Sequence, residues 1–301
     1  MSIVATLAPD IALIVMGVLI SPLLISSIWA GLDRLSYYVL YPGLIFHAAA
    51  SRPVVANEAL SLGLIAASVV TAGLLLGLIT RPLRKSSKVD FGGAVQNAYR
   101  FNTAFAFVAI GVLPAEAASV LAVMVGFAIP LANIYAVVGL TRGADISIKH
   151  VFLELITNPF LLASLGGLLV ALSGKALPQL VTAFTGRIAD AALPLVLIAI
   201  GAALRGARLW PLDQQAIALH TIRLVILPLG VLGIALVFGL RGVTVATVLL
   251  FAAVPTTSAA HVLASRYGAD RSDVALIVTH STLAGLLTLP VWAWAAVKLA
   301  S

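Results

Sequence analysis

Pro255-Thr256-Thr257-Ser258 falls inside an apolar run from Val243 to Ala264, where a membrane helix would be uniformly apolar. A second polar interruption, Arg100-Phe101-Asn102-Thr103, stands about 154 residues earlier in a chain of 301, so each occupies the same place in its half. Backbone broken at mid-bilayer depth is tolerated only where it lines an enclosed or watery cavity. Two such breaks at corresponding positions are the usual sequence pointer to the midplane site of a carrier for a small solute.

The surrounding composition fits a membrane. Apolar residues make up 61% of the chain, against roughly 45–50% in soluble domains, and the mean hydropathy is +1.13. Only 10% of residues are charged, so little of the surface can face water. The net charge of +7 does not indicate a nucleic-acid partner, because the Lys and Arg sit in short loops with no aromatic-interleaved basic patch. The absence of cysteine excludes disulfides, thiolate nucleophiles and Cys-ligated metals. Met1 to Ile28 lacks a basic n-region and a small-residue cleavage site, and reads as a first membrane helix rather than a cleaved signal.

Windows of about 19 residues place spans at Pro9–Ile28, Leu35–Ala50, Ala59–Thr80, Gly92–Val112 and Ala117–Leu140, then Val151–Leu172, Ile188–Leu204, Gln215–Gly239, Val243–Ala264 and Val274–Val297. Counting Lys and Arg in alternate loops gives eleven on one side, including Arg81, Arg84, Lys85 and Lys88, and five on the other. The positive-inside rule then puts both termini outside the cytoplasm. Arg100 and Arg223 fall within spans. Five spans per half is an odd number, so residues 1–140 and 150–301 are expected as two inverted five-helix repeats of one membrane domain. Pro42 and Pro194 match across the halves, as do Pro130 and Pro290. The expected fold is all-α and polytopic: ten transmembrane helices, the fourth and ninth interrupted.

Pro255 lacks an N–H and its ring displaces the carbonyl of Phe251, which opens the backbone of the ninth span. Thr256, Thr257 and Ser258 would then form the first turn of a half-helix whose N–H groups and dipole attract an anion; a plain proline kink re-satisfied by hydroxyls is the alternative. Asn102 and Thr103 occupy the matching place, as substrate contacts or as interhelical glue. Asn133 follows Pro130 and reaches either the cavity or a packing partner. Arg100 can attract a carboxylate or snorkel to the headgroups. Arg223 is too deep to snorkel, and either pairs with a helix-end carbonyl or serves transport. His47, His261 and His280 lie in or near apolar spans and are formal proton carriers, or hydrogen-bonded structural residues. Pro42, Pro194 and Pro255 are the expected hinge and crossover points.

Asp10, Glu58, Glu116, Glu154 and Asp190 cluster at span ends, so the sequence offers no mid-span carboxylate for sodium. Proton coupling or export down a potential is expected instead. No metalloprotease, nucleophile-elbow or phosphate-loop motif is present, so neither enzyme chemistry, cofactor nor metal is called for.

These residues resemble the auxin efflux carrier family, the bacterial carboxylate exporters and relatives of the plant PIN auxin exporters. Leu35-Ser-Tyr-Tyr-Val-Leu-Tyr-Pro42-Gly-Leu-Ile-Phe46 is similar to the family's second helix, and Arg100-Phe101-Asn102-Thr103 to the bacterial form of its fourth. Thr157-Asn158-Pro159 resembles the opening of its sixth, and Leu193-Pro194 through Gly201-Ala-Ala-Leu204 its seventh. The most specific match runs from Ala253-Val254-Pro255-Thr256-Thr257-Ser258 to Ala264-Ser265-Arg266-Tyr267-Gly268-Ala269-Asp270. The resemblance implies ten helices, the fourth and ninth discontinuous and crossing, and elevator-type export of small organic acid anions through a bacterial inner (plasma) membrane. An elevator needs a fixed scaffold, which a homodimer would supply. Many members carry a glycine- and proline-containing run after the fourth-helix Asn-Thr, where this chain has Ala104-Phe105-Ala106-Phe107-Val108-Ala109; the break must rest on Asn102 and the partner helix. Position 261 is His where the family usually has an aromatic residue. A sodium-coupled organic anion symporter of the bile-acid type shares the inverted plan and stays open, as does a transporter-derived membrane sensor.

Overall fold

The computed structural model describes residues 3–140, 153, 156–205, 212–257, 260, 263–264, 267–269 and 271–301. Every regular element among them is helical: α1 (Ile3–Ile20), α2 (Ser26–Leu35), α3 (Tyr41–Ala50), α4 (Ala56–Ile79), α5 (Lys88–Tyr99), α6 (Thr103–Ala109), α7 (Glu116–Leu140), α8 (Pro159–Ser173), α9 (Gln179–Leu204), α10 (Gln214–Thr221), α11 (Leu227–Val237), α12 (Val243–Ala253) and α13 (Arg271–Ala300). Six helical stretches are long and apolar enough to cross a bilayer: Thr6–Leu23, Ala56–Leu83, Glu116–Leu140, Gln179–Leu204, Gln214–Val237 and Asp273–Ala300. At 1.5 Å per residue the 24 residues of α4 reach about 36 Å, more than the roughly 30 Å of a hydrocarbon core. The chain is an all-α polytopic membrane protein.

Several helix limits differ from those expected. The first helix ends at Ile20, and Ile28 belongs to the next. The seventh expected span starts nine residues early, at Gln179, because Arg187 and Asp190 interrupt the apolar run without interrupting the helix. This shift moves Asp190 from a span end to the interior of α9, and Asp10 likewise lies well inside α1. Both carboxylates thus lie within helices rather than at helix ends.

Two π-helical turns, Ser36–Leu40 and Ile222–Ile226, join α2 to α3 and α10 to α11. Each ends just before a proline, Pro42 or Pro228. A proline ring clashes with the carbonyl four residues back, and a widened turn relieves that clash. At the second site the displaced Leu224 carbonyl accepts from Trp292 Nε1 at 2.8 Å.

The helices sort into two bundles. One packs α1, α2, α3, α8 and α9; the other packs α4, α5, α7, α11, α12 and α13, with α7 bridging to α3 and α8. In the first, α1 and α9 touch backbone to backbone: a Cβ at Gly201 would stand 1.9 Å from the Ile14 carbonyl oxygen. In the second, Arg84 ion-pairs with Asp213 at 3.0 Å and with Asp273, tying the starts of α10 and α13 together. The second bundle carries both breaks, and they are its most enclosed part. Every residue of Phe91–Tyr99 and of α6 is buried.

Candidate functional site

The first break follows α5. Arg100 (φ −74°, ψ 152°) and Asn102 (φ −88°, ψ 110°) are extended. No proline causes this. Asn102 Oδ1 accepts from the N–H groups of Ala104 at 3.0 Å and Phe105 at 3.4 Å, so Asn102 caps α6 and the helix restarts there. The second break follows α12, with Val254 extended (φ −74°, ψ 149°) and Pro255 next.

The two breaks are joined directly. The Asn102 N–H donates to the Pro255 carbonyl at 2.8 Å, and the Thr256 N–H donates to Ser281 Oγ of α13 at 3.1 Å. Phe101 meets the Phe251 ring edge-on, with centroids 4.6 Å apart. Arg223 is wholly buried and takes the carbonyls that the break releases: Nε donates to Val254 O at 2.8 Å and Nη2 to Phe251 O at 2.9 Å. Phe251 is the carbonyl that Pro255 displaces, so Arg223 is the helix-end strut of the two roles open to it. Its cation also faces the negative end of α12, where the dipole favours it.

Arg100 points into the protein and meets no carboxylate among the described residues. It is buried, and Nη2 donates to Asn133 Oδ1 of α7 at 2.9 Å. Asn102, Thr103, Asn133, Pro255, Thr256 and Thr257 thus gather around one crossing, with Arg100 and Arg223 on its flanks. Thr256 Oγ1 is buried with no hydrogen-bond partner among the described residues. Ser258 and His261 lie outside the described residues. His280 adjoins Ser281; its Nδ1 stands 2.8 Å from Leu276 O, and its ring 6.2 Å from that of His220.

His47 and Pro194 are elsewhere. They line a cavity of about 760 Å³ between the bundles, together with Asp10, Arg52, Phe107, Glu116 and Asp190. His47 Nδ1 is 3.0 Å from Thr185 Oγ1. Arg52 is committed to Glu58 and, through Nε, to Ser119 Oγ at 2.6 Å. That leaves Asp10, Glu116 and Asp190 to set the sign of the lining, which is acidic. The cavity reaches α6 at Phe107 but includes none of the crossing residues. Pro42 sits at the start of α3, beyond its π turn and outside this lining. Sequence reasoning named the three carboxylates but treated them as separate span ends. Their convergence had no local signal, since they come from three helices.

Two interlocked helix breaks, enclosed in protein within a bundle of bilayer-long helices, define a membrane carrier. Residues 141–293 match the model of the family described as "Membrane transport protein", and the chain belongs to this family, the auxin efflux carriers. A protein of Methanothermobacter thermautotrophicus described as an "Uncharacterized transporter" is 33% identical over 107 residues, 36% of this chain and 35% of that protein. The aligned stretch thus spans about a third of that relative's length.

Proposed function

We propose that the chain is a secondary transporter that exports small organic acid anions across the bacterial inner membrane by elevator-type alternating access. One observation carries this reading: the Asn102 N–H to Pro255 carbonyl bond, which makes the two breaks a single polar unit inside the bundle. Around it are the Asn102 carboxamide, the unpartnered Thr256 hydroxyl and a buried guanidinium at Arg100. A carboxylate entering there meets donors and positive charge in a region of low dielectric, where each counts for more than in water. Thr103, Asn133, Thr257, Ser258 and His261 complete the proposed lining.

In this reading the chain crosses the membrane ten times as an inverted 5 + 5 repeat, 1–140 and 150–301, with both termini outside. The α2–α3, α5–α6 and α10–α11 pairs each form one crossing, and α12 with the residues after Thr257 forms another. The bundle of α1–α3, α8 and α9 would be the scaffold, and the bundle holding the breaks would slide against it. The cavity between them would be the outer vestibule. Asp10, Asp190 and His47 offer groups there that can exchange protons with the outside.

The test is efflux of radiolabelled mono- and dicarboxylates from proteoliposomes. Efflux above protein-free vesicles, strongly reduced in Asn102→Asp, is expected; no carboxylate efflux, or efflux untouched by that substitution, overturns the proposal. The mid-helix positions of Asp10 and Asp190 favour a second reading, a sodium-coupled symporter. Replacing sodium by potassium at fixed membrane potential leaves the initial rate unchanged under the first reading and reduces it steeply under the second.

A further inference from the structure

One turn before Arg100 of the proposed site lies a buried side chain, Gln96, that the crossing itself does not use. Gly92 and Gln96 stand four apart on one face of α5, and Arg100, four further on, caps its end with its N–H on the Gln96 carbonyl. Gly92 and Arg100 both face α7. A Cβ at Gly92 would stand 2.5 Å from the Gly139 carbonyl oxygen, and Arg100 Nη2 bonds Asn133 at 2.9 Å. Gln96 lies between them. It is 0% exposed, yet neither Oε1 nor Nε2 has a hydrogen-bond partner among the described residues. Arg100 Nε is also buried and unpartnered, and no carboxylate among the described residues forms an ion pair with its guanidinium. The adjacent position, Gly93, packs against Ala264, Ala269 and Val274, so residues beyond the second break also border this part of α5. This region lies before the break on α5, whereas the outer cavity reaches only α6 after it.

Buried polar groups are almost always hydrogen-bonded, and each exception calls for a reason. Here the unmet groups make a pattern. Arg100 offers N–H donors and a positive charge, which suit a carboxylate. Gln96, one turn away, offers both a donor and an acceptor. A keto group beside the carboxylate would meet Nε2 and leave Oε1 unmet. An ammonium would meet Oε1, leave Nε2 unmet and set a second cation beside Arg100. A hydroxyl meets both.

We propose that Gln96 and Arg100 form an inner subsite that selects hydroxycarboxylates, with the carboxylate on Arg100 and the hydroxyl on Gln96. The hydroxyl oxygen accepts from Nε2 and its proton is donated to Oε1. This rests on the reading of the chain as a carrier of organic acid anions, and names the substrate class within it. A site built to bond a hydroxyl rejects the analogue that lacks one, because its own buried groups are then left unpaired.

The test is calorimetric titration of the purified, detergent-solubilised full chain with two matched pairs, lactate against propionate and malate against succinate. Wild type is expected to bind the hydroxylated member of each pair about tenfold tighter or more, the effect of one buried hydrogen bond. Gln96→Met should bring both ratios close to one, and should melt no lower than wild type because it removes an unsatisfied amide. Arg100→Lys should weaken both members of a pair alike and keep the ratio. Binding of all four acids by wild type without a hydroxyl preference overturns the subsite and leaves the carrier reading standing. A ratio that survives Gln96→Met overturns it too, as does a lower melting temperature in Gln96→Met, the mark of a structural water on Gln96. Failure of all four to bind wild type defeats the carrier reading together with the subsite.

Discussion

Replacing Arg223 tests whether the second break is held open by a strut. Its guanidinium is fully buried and donates to two carbonyls, Val254 O at 2.8 Å and Phe251 O at 2.9 Å. A hydrogen bond to a charged group contributes about 1.5–3 kcal/mol, so the pair supplies roughly 3–6 kcal/mol. Arg223→Met matches the length and apolar stem but leaves both carbonyls unpaired. It also relieves the cost of burying a charge, which amounts to several kcal/mol in real proteins and offsets part of the loss. The net expectation is a destabilisation of about 2–3 kcal/mol, read as a fall of several degrees in the melting temperature of the detergent-solubilised protein. Arg223→Lys keeps the charge but cannot span two carbonyls, and should lose about half as much. Melting of Arg223→Met at the wild-type temperature would refute the reasoning, because the carbonyls freed by Pro255 would then need no partner.

Three further outcomes follow from the same geometry. Asn102→Asp keeps the oxygen that caps α6 but loses the amide donor and adds a negative charge at the crossing; the protein should fold and transport should fail. Asn102→Ala should also lose about 1 kcal/mol of stability with the cap, so near-equal melting temperatures of the two variants would show that the cap contributes nothing. Gly201→Val should disrupt the α1–α9 contact, since its Cβ would stand 1.9 Å from the Ile14 carbonyl; a monodisperse, wild-type elution profile would show that the two helices do not touch there. Cysteines placed at Ser86 and Gln179 should be labelled by an impermeant maleimide from opposite faces, and labelling from one face would overturn the orientation drawn from the basic residues.

What the sequence made legible was whatever depends on short-range chemistry. Apolar run length gave the helices, and a proline in one run with an asparagine in another gave the two breaks. Both appear where the residues put them, at Arg100–Asn102 and at Val254–Pro255. Helix starts were less legible. Hydropathy windows measure affinity for lipid, while α9 stays helical through Arg187 and Asp190, and this hid the place of Asp190 inside the helix. The π turns carried a signal that went unread: each ends two residues before a proline.

Side-chain partnership was the least legible, because one chain position can serve several long-range partners. Arg223 could equally have met a substrate, and only the approach of α12 makes it a strut. Arg100 shows the reverse. Among the described residues its hydrogen-bond partner is Asn133, which supplies a single acceptor oxygen and no charge, and no carboxylate there pairs with the guanidinium. A buried cation is ordinarily paired, and leaving one unpaired weakens the fold. Arg223 recovers that loss by closing two carbonyls that would otherwise be bare. Arg100 has only the Asn133 oxygen among the described residues, and each guanidinium keeps one buried nitrogen without a partner there, Nε of Arg100 and Nη1 of Arg223. The two buried arginines thereby differ: one bonds the carbonyls of the second break, and the other has no carboxylate partner among the described residues, which is where the proposed site would take one.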